Sequence, residues 1–245
     1  MHKVTHARLH NVKDVTNMKK NGKIEKVSEK TIGRLSLYRR AMDKLAKEGR
    51  DFAFSHEIAH MSGATPDQVR RDIMVLGYSG SPNRGYSVAE LSKSIGEFLD
   101  DLDVQKVVLV GVGNLGRAIL SYFTGKRPKL SIIACFDNDT EKTGRVINGC
   151  RCYPMSQLQD VINENSASIA IMAVPFSASQ EVADRLTHSG IKGILNFTPV
   201  SIKVPHGIHV EDIDMTMALE KVAFYSRQKP QGQLLERRTN DKAGH

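Results

Sequence analysis

The sequence contains no apolar run near the roughly 20 residues a bilayer-spanning helix needs, and its opening stretch lacks the apolar core of a secretory signal. A soluble cytoplasmic protein is expected, with no membrane partner. Only three cysteines are present, Cys135, Cys150 and Cys152, too few and too clustered for a disulfide framework. Acidic residues are also in the minority, 27 Asp+Glu against 35 Lys+Arg, which leaves a formal charge of +8 over 245 residues. That length accommodates two domains of ~100–200 residues.

The basic excess is unevenly placed. Residues 1–90 hold 17 Lys+Arg against 10 Asp+Glu, 91–225 hold 13 against 15, and 226–245 hold 5 against 2. A basic front joined to a near-neutral body suggests that only the front meets a polyanion. The plainer reading is a solvated tail, because eight of the front's cations lie between Lys3 and Lys30.

Residues 1–30 show no apolar periodicity and are expected to form a disordered basic extension. Over 31–48 the apolar positions Ile32, Leu35, Leu37, Tyr38, Met42 and Leu45 predict an amphipathic helix that stops at Gly49. Ser55 is expected to cap a short helix that Gly63 breaks, and Thr65-Pro66-Asp67-Gln68 is a strong start signal for a helix to about residue 76. The turn-rich stretch 77–85 then reads as a wing before a helix over 89–99. Residues 100–103 form the expected domain junction. Beyond them, mostly β-branched strands at 106–110, 131–136, 167–174 and 193–197 alternate with helices at 114–123, 155–163 and 177–188. Strands without polar alternation are buried on both faces, so a parallel sheet covered by helices is expected. A last helix spans 216–226, and 227–245 is expected to be a mobile tail.

Between the first strand of that second half and its helix lies Gly111-Val112-Gly113-Asn114-Leu115-Gly116. In a G-x-G-x-x-G loop the first glycine permits the tight turn, the second lets a pyrophosphate reach the backbone, and the third lets helix and strand pack closely. Asp137, 21 residues on at the end of the next strand, is where a carboxylate accepts from an adenosine ribose. Dinucleotide binding is thus preferred to a purely structural glycine turn. An acid there would repel a 2′-phosphate, and no arginine adjoins it, so NAD(H) is favoured over NADP(H). No His, Lys or Tyr stands in a recognisable catalytic grouping after a strand end, and little room remains for a substrate domain. The dinucleotide reads as a ligand rather than a reagent, and the protein as no enzyme.

In the front half, Ala59, Gly63 and Val69 follow helix-turn-helix spacing. Thr65, Gln68, Arg70 and Arg71 occupy the part of the second helix that would enter a major groove, and Arg84 lies on the wing. A basic solvated helix is the alternative. His56-Glu57-Ile58-Ala59-His60 spells the H-E-x-x-H of zinc proteases, yet Ile58 and Ala59 are needed in the core and no third ligand follows. No metal is expected. Cys150-Arg151-Cys152 reads as incidental.

Taken together, IGRLSLYRR, TPDQVRRDI, VGVGNLGRAI, FDND, IAIMAVPFSASQEVADRL, GIKGILNFTPVSIKVP and HVEDIDM resemble the Rex redox-sensing transcriptional repressors over about 31–226. The resemblance implies an α/β chain with a winged-helix DNA-binding domain at 31–99. It also implies a Rossmann-like domain at 104–226 and a C-terminal helix exchanged in a homodimer. Such a protein senses the NADH/NAD⁺ ratio and leaves palindromic operators in double-stranded DNA, those of respiratory and fermentative genes, when NADH rises. It further implies that Val174, Pro175, Asn196 and Phe197, with Tyr122, line the nicotinamide half, and that Arg40 and Asp214 form an intersubunit switch ion pair. Two stretches depart from the family pattern. Gly80-Ser81-Pro82-Asn83-Arg84-Gly85-Tyr86 replaces a wing near GKRGVGY, and Met215 replaces an aromatic. The rivals are an NAD-dependent oxidoreductase with an accessory helical domain and a CoA- or nucleotide-binding module tethered to DNA.

Overall fold

The computed structural model describes residues 18–20, 23–25, 27–100, 103–123, 125 and 129–227. They divide into two compact units with the boundary between Lys106 and Val107, and the short piece Gly125–Ser131 groups with the first.

In the first unit, strands β1 (Met18–Lys20) and β2 (Lys23–Glu25) form an antiparallel pair. Helix α1 then runs Glu29–Lys47, with the Ser28 hydroxyl accepting from Thr31 N at 3.2 Å. The strand pair and the start of α1 at Glu29 are ordered exceptions within an extension expected to be largely disordered; residues 1–17, 21–22 and 26 lie outside the described residues. On α1 the buried positions Leu35, Tyr38, Met42 and Leu45 recur every three or four residues, whereas Leu37 faces outward.

Helix α2 spans Ser55–Ser62 and α3 spans Pro66–Val75, separated by Gly63 in the left-handed region at φ +69°. Ser55 is the first helical residue rather than the cap. Instead the Glu57 carboxylate accepts from Phe54 N at 2.8 Å, satisfying one of the free amides at the helix start. Two-residue strands β3 (Phe52–Ala53) and β4 (Tyr86–Ser87) pair antiparallel at the base of the wing, and α4 (Val88–Leu99) follows. Gly85 turns the chain there at φ +79°, where a Cβ would stand 2.4 Å from Ala53 O. Leu35, Tyr38, Ile58, Val69, Ile73, Leu91 and Ile95 close one core among the four helices.

The second unit is a seven-stranded sheet in the order β11-β10-β9-β5-β6-β8-β7. Its strands are β5 (Gln105–Val110), β6 (Leu130–Asp137), β7 (Val146–Ile147), β8 (Cys150–Pro154), β9 (Ile169–Met172), β10 (Gly193–Asn196) and β11 (His209–Asp212). Pairing is parallel for β5 with β9, β9 with β10, β10 with β11 and β6 with β8; edge strand β7 is antiparallel to β8. Alternation on β5 shows why its whole run is apolar. Val108 and Val110 pack toward α6 (Leu158–Asn165) and α7 (Ser179–His188), while Val107 and Leu109 pack toward α5 (Asn114–Phe123).

Strands β7, β8 and β11 had no counterpart in the expected pattern. They lie at the sheet's two margins, where Arg151 and Glu211 are exposed and no unbroken apolar run is required. Helix α8 (Met215–Ser226) buries none of its residues, and Met217, Leu219, Val222, Phe224 and Tyr225 are exposed. Residues 228–245, where the mobile tail was expected, lie outside the described residues. No helix among the described residues is long and apolar enough to cross a membrane.

Candidate functional site

From β5 the chain crosses to β6 on one side and later returns to β9 on the other. The connections that leave the carboxyl ends of β5 and β9 therefore run in opposite directions along the sheet, and a crevice at that point is the usual ligand position in open α/β sheets. A cavity of about 690 Å³ lies there, lined by residues that include Gly111, Gly113, Asn114, Leu115, Asp137, Lys142, Val174 and Pro175. Its rim includes the N-terminus of α5, whose free backbone amides favour an anion.

The three glycines differ in what surrounds them. At Gly111, φ is +94° and a Cβ would meet Ala173 O at 2.4 Å, so the turn and the approach of β9 both exclude a side chain. At Gly116 a Cβ would come within 2.0 Å of Gly111 O, which lets α5 sit against the loop. Gly113 has nothing within 4 Å of its Cβ position. It is free of packing duty, and its missing side chain leaves open a space the size of a ligand's approach.

Asp137 closes the cavity at the end of β6. Its Oδ2 accepts from Val112 N at 2.8 Å and from Lys142 Nζ at 3.2 Å, and its Oδ1 accepts from Asp139 N at 2.9 Å. Burial pushes this carboxyl up, but the bonds from the Asp139 and Val112 amides and from Lys142 outweigh it and hold the acid below its ordinary range. Lys142 also reaches Asp139 Oδ2 at 3.3 Å. Desolvation lowers its pKa, and the bonds to the two acids more than restore it. The residues adjoining Asp137 in sequence give no sign of Lys142. Its spacing of three from Asp139 within one turn was the available signal.

The residues expected at the nicotinamide half are dispersed. Val174 and Pro175 line the cavity. Asn196 is fully buried and its amide is fully committed, with Nδ2 donating to Val200 O at 2.8 Å and Asp212 Oδ1 at 2.7 Å, and Oδ1 accepting from Thr198 N and Oγ1. Its side chain organises the loop after β10 and does not line the cavity. Phe197 is half-buried against the α5 side of the sheet. Tyr122 is exposed on α5, edge-on to Phe123, and Asp214 caps α8 by accepting from Met217 N at 2.8 Å. Neither is part of the cavity lining in this chain.

On the first unit, α3 presents a polar network. Asp72, almost fully buried, accepts from Arg34 Nε at 2.6 Å and Nη2 at 2.9 Å, from the Tyr38 hydroxyl at 2.8 Å and from Gln68 Nε2 at 2.9 Å. Burial raises its carboxyl, and these bonds more than reverse that, so it stays below the ordinary value; Tyr38 is pushed up by burial and by the same acid. Gln68 in turn accepts from Arg71 Nη2 at 3.1 Å. Gln68 is thus a link between the buried acid and exposed Arg71. Arg70 is exposed and held by Asp67 and by Ser55 Oγ, the latter at 2.8 Å. Thr65 accepts from Gln68 N at 3.2 Å, Arg84 lies 5.8 Å over the Phe52 ring, and Arg40 is exposed on α1.

In the H-E-x-x-H segment, Glu57 is engaged by Phe54 N and by Arg50 Nη2 at 2.8 Å, and His56 stacks on Phe54. No cluster able to hold a metal occurs among the described residues. Cys135, Cys150 and Cys152 are free thiols filling one part of the core.

Two family descriptions match the chain, "CoA binding domain" over residues 103–200 and "Putative DNA-binding protein N-terminus" over 26–73. Among curated proteins, the redox-sensing transcriptional repressor Rex of Carboxydothermus hydrogenoformans is 39% identical over 202 residues, 82% of this chain and 97% of that protein. The Rex of Geobacillus kaustophilus is 36% identical over 205 residues, 84% and 96% of the two chains. Among solved structures, RSP in complex with NAD⁺ and operator DNA matches at a TM-score of 0.76 and 28% identity, covering 89% of this chain and 99% of that one. RSP in complex with NADH matches at 0.74, again at 28% identity, covering 86% and 98%.

Proposed function

We propose, for a chain that belongs to the Rex family of redox-sensing transcriptional repressors, that it binds operator DNA as a homodimer in the cytoplasm and releases it when NADH occupies the cavity at the end of β5. The observation that carries this reading is the composition of that cavity. Among the described residues its ionisable lining groups are Asp137, Asp139 and Lys142, bonded to one another, and no described His, Tyr, Ser or Cys lines it. A dehydrogenase needs a proton donor beside the nicotinamide; a sensor needs only to bind. The dinucleotide fits the residues present, because Gly113 faces open space, the α5 N-terminus offers amides for the pyrophosphate, and Asp137 offers oxygens for the adenosine ribose.

The dimer is a two-state device. Ligand binding shifts it only by the difference in affinity for the two arrangements. The apolar, unburied α8 suits exchange onto the partner subunit, which would cover Met217, Leu219 and Val222. Tyr122, and Arg40 with Asp214 as an intersubunit ion pair, are the proposed readers of the nicotinamide, whose oxidised ring is positive and whose reduced ring is neutral. Arg70, Arg71, Thr65 and Gln68 on α3, with Arg84 on the wing, are the proposed DNA contacts.

The test is a mobility shift on a palindromic duplex with NADH and NAD⁺ titrated separately. NADH is expected to dissolve the complex and NAD⁺ to leave it. A complex that persists while the protein demonstrably holds NADH would sink the proposal. A further expectation concerns α3. Arg71→Ala should weaken DNA binding more than Arg70→Ala, because Arg71 is held by a neutral amide while Arg70 is already neutralised by Asp67. The salt slope of Arg71→Ala should fall by about 1, one phosphate contact fewer, with NADH affinity unchanged.

A further inference from the structure

The charge balance at the end of β6 suggests a role for Lys142 that rests on the dinucleotide reading above. We propose that Lys142 is a specificity-determining residue that sets how strongly the cavity rejects a 2′-phosphorylated dinucleotide.

Asp137 and Asp139 stand side by side, joined by the bond from Asp139 N to Asp137 Oδ1 at 2.9 Å. Without a cation, this corner would carry two negative charges. Lys142 Nζ bridges them, 3.2 Å from Asp137 Oδ2 and 3.3 Å from Asp139 Oδ2, and its side chain lines the cavity at 23% exposure. The corner therefore carries one net negative charge. An ammonium has three N–H donors, and two point at these acids. The third is available to an oxygen arriving at the ribose held by Asp137.

A 2′-hydroxyl is neutral and feels this compensation weakly. A 2′-phosphate is anionic, so it is repelled by each uncompensated carboxylate and attracted by the ammonium. Asp139 is the more exposed of the two acids. Its Oδ2 serves Lys142, while its Oδ1 accepts from Glu141 N at 2.9 Å and holds the turn. The cation missing from the residues adjoining Asp137 in sequence is supplied across that turn.

Titration of the full-length protein with NADH and with NADPH, by calorimetry, gives the discrimination ratio. Lys142→Met is expected to lower NADPH affinity roughly tenfold more than NADH affinity, the size of one partly screened charge contact. Lys142→Arg should restore the wild-type ratio. Asp139→Asn should narrow the ratio by leaving the ammonium to one acid. If Lys142 serves only to hold Asp137 in place, Lys142→Met weakens both dinucleotides in parallel, and the proposal fails; an unmoved ratio overturns it as well. Wild-type protein that binds neither dinucleotide refutes the sensor reading and this one together. Wild-type NADH binding with an unmoved ratio refutes this one alone.

Discussion

Gly113→Val is expected to leave the second unit folded and to abolish NADH binding. The site of the new side chain is empty of protein, with nothing within 4 Å of the Cβ position, and the backbone there is not left-handed. No core contact is disturbed, so stability should change by less than about 1 kcal/mol, as for substitutions outside packed positions. The same atoms would stand where a pyrophosphate approaches the loop. Loss of that approach should weaken NADH at least about 100-fold, roughly 2.7 kcal/mol. On operator DNA the variant should stay bound at NADH levels that release the wild type. Gly116→Val is the contrasting case. Its Cβ would lie 2.0 Å from Gly111 O, a backbone atom that cannot swing aside, so the variant should unfold more readily and lose NADH binding through the fold. Thermal melts beside calorimetric titrations separate the two. NADH binding by Gly113→Val at wild-type strength would show that the dinucleotide does not use this loop.

The second large effect is expected at Asp72. Removing this carboxylate leaves the Arg34 guanidinium, the Tyr38 hydroxyl and the Gln68 amide facing a site with no acceptor. Truncating one partner of a buried ion pair costs about 3–5 kcal/mol. Arg34 keeps 25% exposure, so the lower end of that range applies to Asp72→Ala. Domains are stable by about 5–15 kcal/mol in all, so the first unit should melt well below the second and DNA binding should fail. Asp72→Asn keeps one acceptor and should fall between. Because the native carboxyl lies below its ordinary value, its contribution is complete above the unfolded pKa of about 3.9. It fades as pH drops through the depressed native value. Urea midpoints of wild type and Asp72→Ala should converge on acidification below about pH 4; a gap that stays constant would mean that another group carries the acid sensitivity.

The two predictions differ in how far the sequence anticipated them. Gly113 was legible because a G-x-G-x-x-G between strand and helix has a local cause: the loop, the helix start and the strand end are contiguous in the chain. The apolar strands β5, β6 and β9 were legible for a similar reason, since burial on both faces leaves an unbroken run. Asp72 was only one acid in a basic helix. Its importance comes from Arg34 and Tyr38, 38 and 34 residues away on α1. Gln68 stands in the part of the helix expected to enter a major groove, and its amide is held by that same acid. Asn196 was assigned to the ligand, yet its four bonds all stay within the protein. A motif can mark such a residue as constrained without telling which neighbour constrains it.

The sequence by itself determined the two-part organisation, the helix capped by Thr65, the glycine loop and the acid that closes its cavity. These follow from periodicity, turn chemistry and charge, which act between near neighbours in the chain. The tertiary structure decided which polar groups remain available. By bringing Lys142 back across its turn onto Asp137 and Asp139, by burying Asn196, and by linking Gln68 to Asp72, it committed groups that the sequence left open. The physical reason is that a hydrogen-bonding group has few partners to give, and long-range packing chooses them first.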